Sequence, residues 1–75
     1  MLVDIIAEVT GTVWTVSAVV GQTLASDEEV LVIESMKMEI PICTGESGTL
    51  QELLVVKGDV VQEGAVIARL EVGGA

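Results

Sequence analysis

Lys37 stands at the centre of a near-mirror arrangement, Glu34-Ser35-Met36-Lys37-Met38-Glu39, and is one of only two lysines in the chain. A lysine amine attacks activated acyl groups once it has shed its proton, which the delocalised guanidinium of arginine does not readily do. Other chemistry is poorly provided for. There is no His and no Tyr, and Cys43 has no visible base partner, so nucleophilic catalysis lacks its second member. A lone Cys and scattered carboxylates show no metal-ligand spacing, and no metal site is expected. Lys57, beside Gly58, has no mirrored flanks and reads as a solvated turn lysine. Periodicity alone allows Met36 and Met38 to be core with Lys37 pointing outward. The alternative is that both methionines are adaptable contacts beside an exposed lysine.

The elements that position Lys37 emerge when the chain is slid along itself by 37 residues. Gly11-Thr12-Val13 then falls on Gly48-Thr49-Leu50, Gly21 on Gly58, and Glu34 on Glu71. Val3 lands on Ile40, Ile5 on Ile42, Val30 on Ile67 and Ile33 on Leu70. Glycines mark where a backbone must turn, so glycines in register with apolar positions argue for two copies of one unit. The copies span about 3–34 and 40–71, joined by a hairpin tip at 35–39, within a single domain over 1–75.

Each copy reads as short strands between turns. The core must be aliphatic, because Trp14 is the only aromatic residue. β-Branched enrichment with eight glycines favours strands. "VSAVVG" and "VLVI" alternate poorly, as strands buried on both faces would. A helix over "SDEEVLVIESMKMEIPI" is conceivable, but Pro41 would cut it short and the equivalent "GAVIARLE" opens on glycine. Neither copy can bury its apolar face alone, so an all-β sandwich or flattened barrel with pseudo-twofold symmetry is expected. The hairpin tip would lie at one end and both termini at the other. If the tip is a two-residue turn, Met36 and Lys37 occupy positions that favour Asn-Gly.

The motif Glu34-Ser35-Met36-Lys37-Met38-Glu39 resembles the attachment motif of biotinyl domains, and about Val3 to Val72 resembles the single-domain biotin/lipoyl attachment proteins of bacteria. The resemblance implies a flattened barrel of two four-stranded antiparallel sheets. It implies biotin in amide linkage to Lys37, installed by a biotin protein ligase, with Met36 and Met38 as flanking recognition residues. The domain would be a carrier and not an enzyme, moving a carboxyl group on biotin between biotin carboxylase and carboxyltransferase components. Lipoyl domains share this fold and usually read Asp-Lys-Ala at the tip, so lipoate on Lys37 is the alternative. An unmodified interaction module is another. Three departures stand out: Ser35 replaces the usual Ala or Val, Gln22 follows Gly21 where Asp59 follows Gly58, and Asp27 stands where glycine is favoured.

Twelve acids against three bases give a net charge of −9. That sign opposes nucleic-acid backbones and anionic membrane surfaces, so neither is an expected partner. The scattered acids read as a solvated surface. A single cysteine suits a reducing compartment, and "MLVDIIAEV" lacks the basic flank and cleavage site of a signal peptide, so a soluble cytoplasmic protein is expected.

Overall fold

The computed structural model describes residues 1–73, and so covers all but the last two residues of the expected 1–75 domain. Eight strands follow in order: β1 (Leu2–Ile6), β2 (Gly11–Val16), β3 (Thr23–Leu24), β4 (Glu29–Ser35), β5 (Met38–Cys43), β6 (Gly48–Leu53), β7 (Val60–Val61) and β8 (Val66–Glu71). They form two four-stranded antiparallel sheets, β1-β8-β6-β3 and β5-β4-β2-β7. These are called the terminal sheet and the hairpin sheet below. There is no helix among the described residues, and none long and apolar enough to cross a membrane.

The duplication extends to fine detail. Adding 37 to each strand of the first half converts β1, β2, β3 and β4 into β5, β6, β7 and β8, so the two sheets have equivalent strand orders. Register breaks also recur at the same offset. Trp14 is the extra residue where β2 meets β4, and Gln51 is the extra residue where β6 meets β8. Val30 and Ile67 are skipped likewise where β4 meets β5 and where β8 meets β1. Bulges of this kind sharpen twist, which helps two small sheets wrap a common core.

That core is aliphatic throughout. Leu24, Val30, Leu31, Ile33, Leu50 and Ile67 are fully buried, with Val13, Ile42 and Leu70 close behind. Burying one such side chain stabilises the fold by about 1.5–3 kcal/mol, a large share of what a domain this small can hold. The expectation for "VLVI" is met, since Val30 to Ile33 are all buried. "VSAVVG" behaves differently: β2 ends at Val16, and Val19 and Val20 are exposed. Those residues cross from one sheet to the other, so they never enter a ladder with two covered faces.

Crossovers are secured symmetrically. Gly21 N–H donates to the Leu50 carbonyl at 2.8 Å and Gly58 N–H to the Val13 carbonyl at 2.9 Å. In the second turn Val56 N–H donates to Asp59 Oδ2 at 3.0 Å, and in the first Val19 N–H donates to Gln22 Oε1 at 3.1 Å. The side-chain amide of Gln22 thus performs the carboxylate's role, and that departure costs the fold no hydrogen bond.

Gly11 and Gly48 are fixed by close packing. A Cβ at Gly11 would lie 2.3 Å from the Glu34 carbonyl oxygen, and one at Gly48 would lie 2.3 Å from that of Glu71. No side chain fits such a gap. The molecule measures 40 × 17 × 17 Å. The β4–β5 hairpin runs out beyond the Gly11 and Thr12 end of β2, while β2 leaves its other end to reach Leu50 beside the terminal ladder. Met1 N and the Val72 carbonyl meet there at 2.8 Å. The hairpin tip and the Met1–Val72 contact therefore mark opposite ends.

Candidate functional site

β4 and β5 pair continuously from Leu31↔Ile42 to Ser35↔Met38, leaving only Met36 and Lys37 for the turn. The ladder forces a two-residue connection, and its right-handed twist demands positive φ at both positions. Met36 has φ 52° and Lys37 φ 67°. Neither residue favours this region, where an L side chain crowds its own backbone. Asp27 is the only other described non-glycine residue with positive φ.

Both methionines are outside the core, against the reading of them as core residues: Met36 is 92% exposed and Met38 64%. Alternation does place Met38 on the inward-facing side of β5, but the sheet has by then outrun the core. Lys37 is exposed, and none of the salt bridges among the described residues involves it. The site is thus a lysine on a continuously paired two-strand stalk, with two exposed apolar side chains beside it. Cys43 is exposed at the end of β5, and Lys57 lies in an exposed turn. No group of three or more His, Cys, Asp or Glu able to hold a metal occurs among the described residues. An open groove of about 580 Å³, lined by Ile5, Ile42 and Leu70 among others, includes none of residues 34–39.

Register adds one feature that the linear motif hides. Glu34 lies directly opposite Glu39 on the next rung behind the turn. Both are exposed, and like charges facing across strands oppose folding by a few tenths of a kcal/mol or more. The equivalent positions in the terminal sheet are Glu71, which pairs with the N-terminal ammonium, and Leu2. A lysine joined to its group by an amide needs a protruding stalk, a reachable amine and no enclosing pocket, and this tip has all three.

The comparisons with known proteins agree with that geometry. A family described as "Biotin-requiring enzyme", the biotin/lipoyl family, matches residues 1–70. A biotin/lipoyl attachment protein of Bacillus subtilis is 40% identical over 63 residues, covering 84% of this chain and 86% of the relative. The "biotinylated protein TB7.3 homolog" of Mycobacterium leprae is 37% identical over 68 residues, covering 91% and 96%. The crystal structure of the Kluyveromyces lactis urea carboxylase superposes with a TM-score of 0.90 at 30% identity, over 95% of this chain and 6% of that one. This chain belongs to the biotin/lipoyl attachment family and is a biotin-carrier domain, homologous to those built into biotin-dependent carboxylases.

Proposed function

We propose that Lys37 is the residue that takes biotin, and that the domain over 1–75 is a non-catalytic, cytoplasmic carrier. Its ligase is a biotin protein ligase, and its working partners are biotin carboxylase and carboxyltransferase components. The observation that supports this is the turn itself: two strained non-glycine residues hold an exposed lysine at one end of a 40 Å molecule. Local turn chemistry contradicts folding preference there, as expected where another requirement dominates.

In the attachment step the neutral amine of Lys37 attacks the carbonyl carbon of a biotinyl-adenylate. A C–N bond forms, the C–O bond to phosphate breaks, AMP departs and the nitrogen gives up a proton. The side chain's positive charge is lost, so the net charge moves from −9 to −10. Met36 and Met38 offer apolar contacts on either side of the amine without fixing it in one pose. Once attached, biotin supplies a ring nitrogen that accepts and releases a carboxyl group, while the chain supplies placement. Tethering then replaces free diffusion between sites with a high local concentration.

The test is the intact mass of the protein purified from its own cells, with fragmentation around Lys37. A biotin-sized increment on Lys37 is expected. A lipoyl-sized increment would move the chain to acyl-transfer complexes with the same site. An unmodified mass in cells supplied with both cofactors would overturn the carrier assignment of Lys37 and favour an interaction module.

A further inference from the structure

The duplication provides an internal comparison of the two outer faces. In the terminal sheet, Arg69 on β8 is flanked by Asp4 on β1 and Glu52 on β6, with Nε to Asp4 Oδ1 and Nη1 to Glu52 Oε1 both 3.1 Å. These hydrogen bonds, to Glu52 first and then Asp4, raise the guanidinium's pKa above its ordinary value. In the hairpin sheet the equivalent rung is Thr15–Val32–Pro41. Trp14 lies at the bulge beside it, where the terminal sheet has Gln51, and Val60 stands where the terminal sheet has Thr23. At four equivalent outer positions, Trp14, Val32, Pro41 and Val60 thus replace Gln51, Arg69, Asp4 and Thr23. Trp14 is 46% exposed and Val60 76%. The terminal sheet's own exposed aliphatics, Leu2 and Ile6, are separated along β1 by Asp4.

We infer that the outer face of the hairpin sheet around the exposed residues Trp14, Pro41 and Val60, with the buried Val32 beneath them, is the docking surface for a carboxylase component that presents an apolar contact framed by basic side chains. The inference rests on the carrier reading and deepens it. Its apolar part follows from the four replacements, with Trp14 of the type that dominates interface energetics. Its charge follows from the Glu34–Glu39 rung, which continues through Thr12 to Val60 and forms the tip-side border of this face, with no cation among the described residues to meet it.

The tethered arm is long enough for a carboxylase component to act from over this face. Pro41 lies four residues along β5 from Lys37, or about 13 Å at strand rise. A bare lysine stem extends about 6 Å, so a ligase active site must meet the tip itself. An acyl chain of biotin's length roughly doubles that reach. A partner acting on the far end of the arm can therefore sit over this face.

The test uses full-length protein biotinylated by its ligase, and the purified biotin carboxylase and carboxyltransferase components from the same cells. The variant Thr15→Glu with Val32→Arg and Pro41→Asp installs on this sheet the rung that the other sheet already carries. Roughly tenfold or greater weakening of the dissociation constant for at least one component is expected, read from Trp14 fluorescence and calorimetry. The ligase kcat/KM should stay within about twofold, since most interface changes act on dissociation from the partner they touch. Trp14→Gln, which borrows the residue at the equivalent bulge, should weaken binding in the same direction and decides the matter if the triple variant does not fold. Arg69→Val with Glu52→Thr should change neither quantity.

Unaltered affinity for both components, or an equal loss in the terminal-sheet control, overturns the surface. A fall in ligase kcat/KM with carboxylase binding intact overturns it too, and assigns the face to the ligase. If Lys37 takes no biotin yet affinity is still lost in the variants, the attachment assignment fails while the docking surface stands.

Discussion

Asp27 and Gly64 hold equivalent turns 37 residues apart, Asp27 at φ 65° and Gly64 at φ 93°. Backbone hydrogen bonds match as well: Asp27 N–H donates to the Thr44 carbonyl at 3.0 Å, and Gly64 N–H to the Ala7 carbonyl at 2.9 Å. The first half therefore places a side chain where the second half dispenses with one. Asp tolerates this region better than most residues, but it still bears some of the left-handed penalty. Asp27→Gly is expected to raise stability by about 0.5–1 kcal/mol, offset in part by glycine's unfolded-state entropy. Urea denaturation measures it, and a lower midpoint would reject strain at Asp27.

The tip carries the same conflict more sharply. Met36 and Lys37 both have positive φ in a two-residue turn. Replacing them with Asn and Gly supplies the residues this turn favours, and should stabilise the domain by about 1–2 kcal/mol. The same variant should take no biotin. A melting temperature that fails to rise would mean the turn is not strained, and the conflict between folding and function at this point would disappear.

Gly11 gives an opposite expectation. The Glu34 carbonyl oxygen sits 2.3 Å from where a Cβ would be, and the Ile33 side chain 2.7 Å. Gly11→Ala must push β2 away from β4, the strand that leads into Lys37. Overpacking of this order costs about 1–3 kcal/mol. Loss of stability together with slower biotinylation is expected, because the stalk is displaced along with the strand. Full stability in thermal unfolding would contradict the close approach.

Much of this architecture was legible because the chain is its own alignment. Gly21 with Gly58 marked the turns and Gly11 with Gly48 the strand starts, and the aliphatic columns between them showed which positions face inward. The motif at Lys37 and its place at the duplication centre pointed to the tip. What the linear sequence concealed depends on register. Trp14 and Gln51 as bulge residues, and Glu34 facing Glu39, appear only once β4 is aligned with its neighbours. The Asp4–Arg69–Glu52 rung draws on three strands far apart in the chain. Val19 and Val20 misled for a related reason: an apolar run looks the same in a buried strand and in a crossover that leaves the sheet.

On the proposed attachment at Lys37, Met36 and Met38 are the residues placed to choose its acyl group. Both side chains are in solvent, so changing them should leave the core and the turn's backbone undisturbed. An aspartate at 36 tolerates positive φ better than methionine does, which makes that substitution safe for the fold. Met36→Asp with Met38→Ala replaces two polarisable apolar contacts by a charge and a small group, recreating the Asp-Lys-Ala tip of lipoyl domains. If these flanks set the choice, biotinylation should fall at least about tenfold as two apolar contacts are lost. Lipoylation should rise in cells containing both ligases. Intact mass after co-expression distinguishes the two adducts, and a modification pattern identical to the parent's would show that selection rests on the folded domain and not on residues 36 and 38.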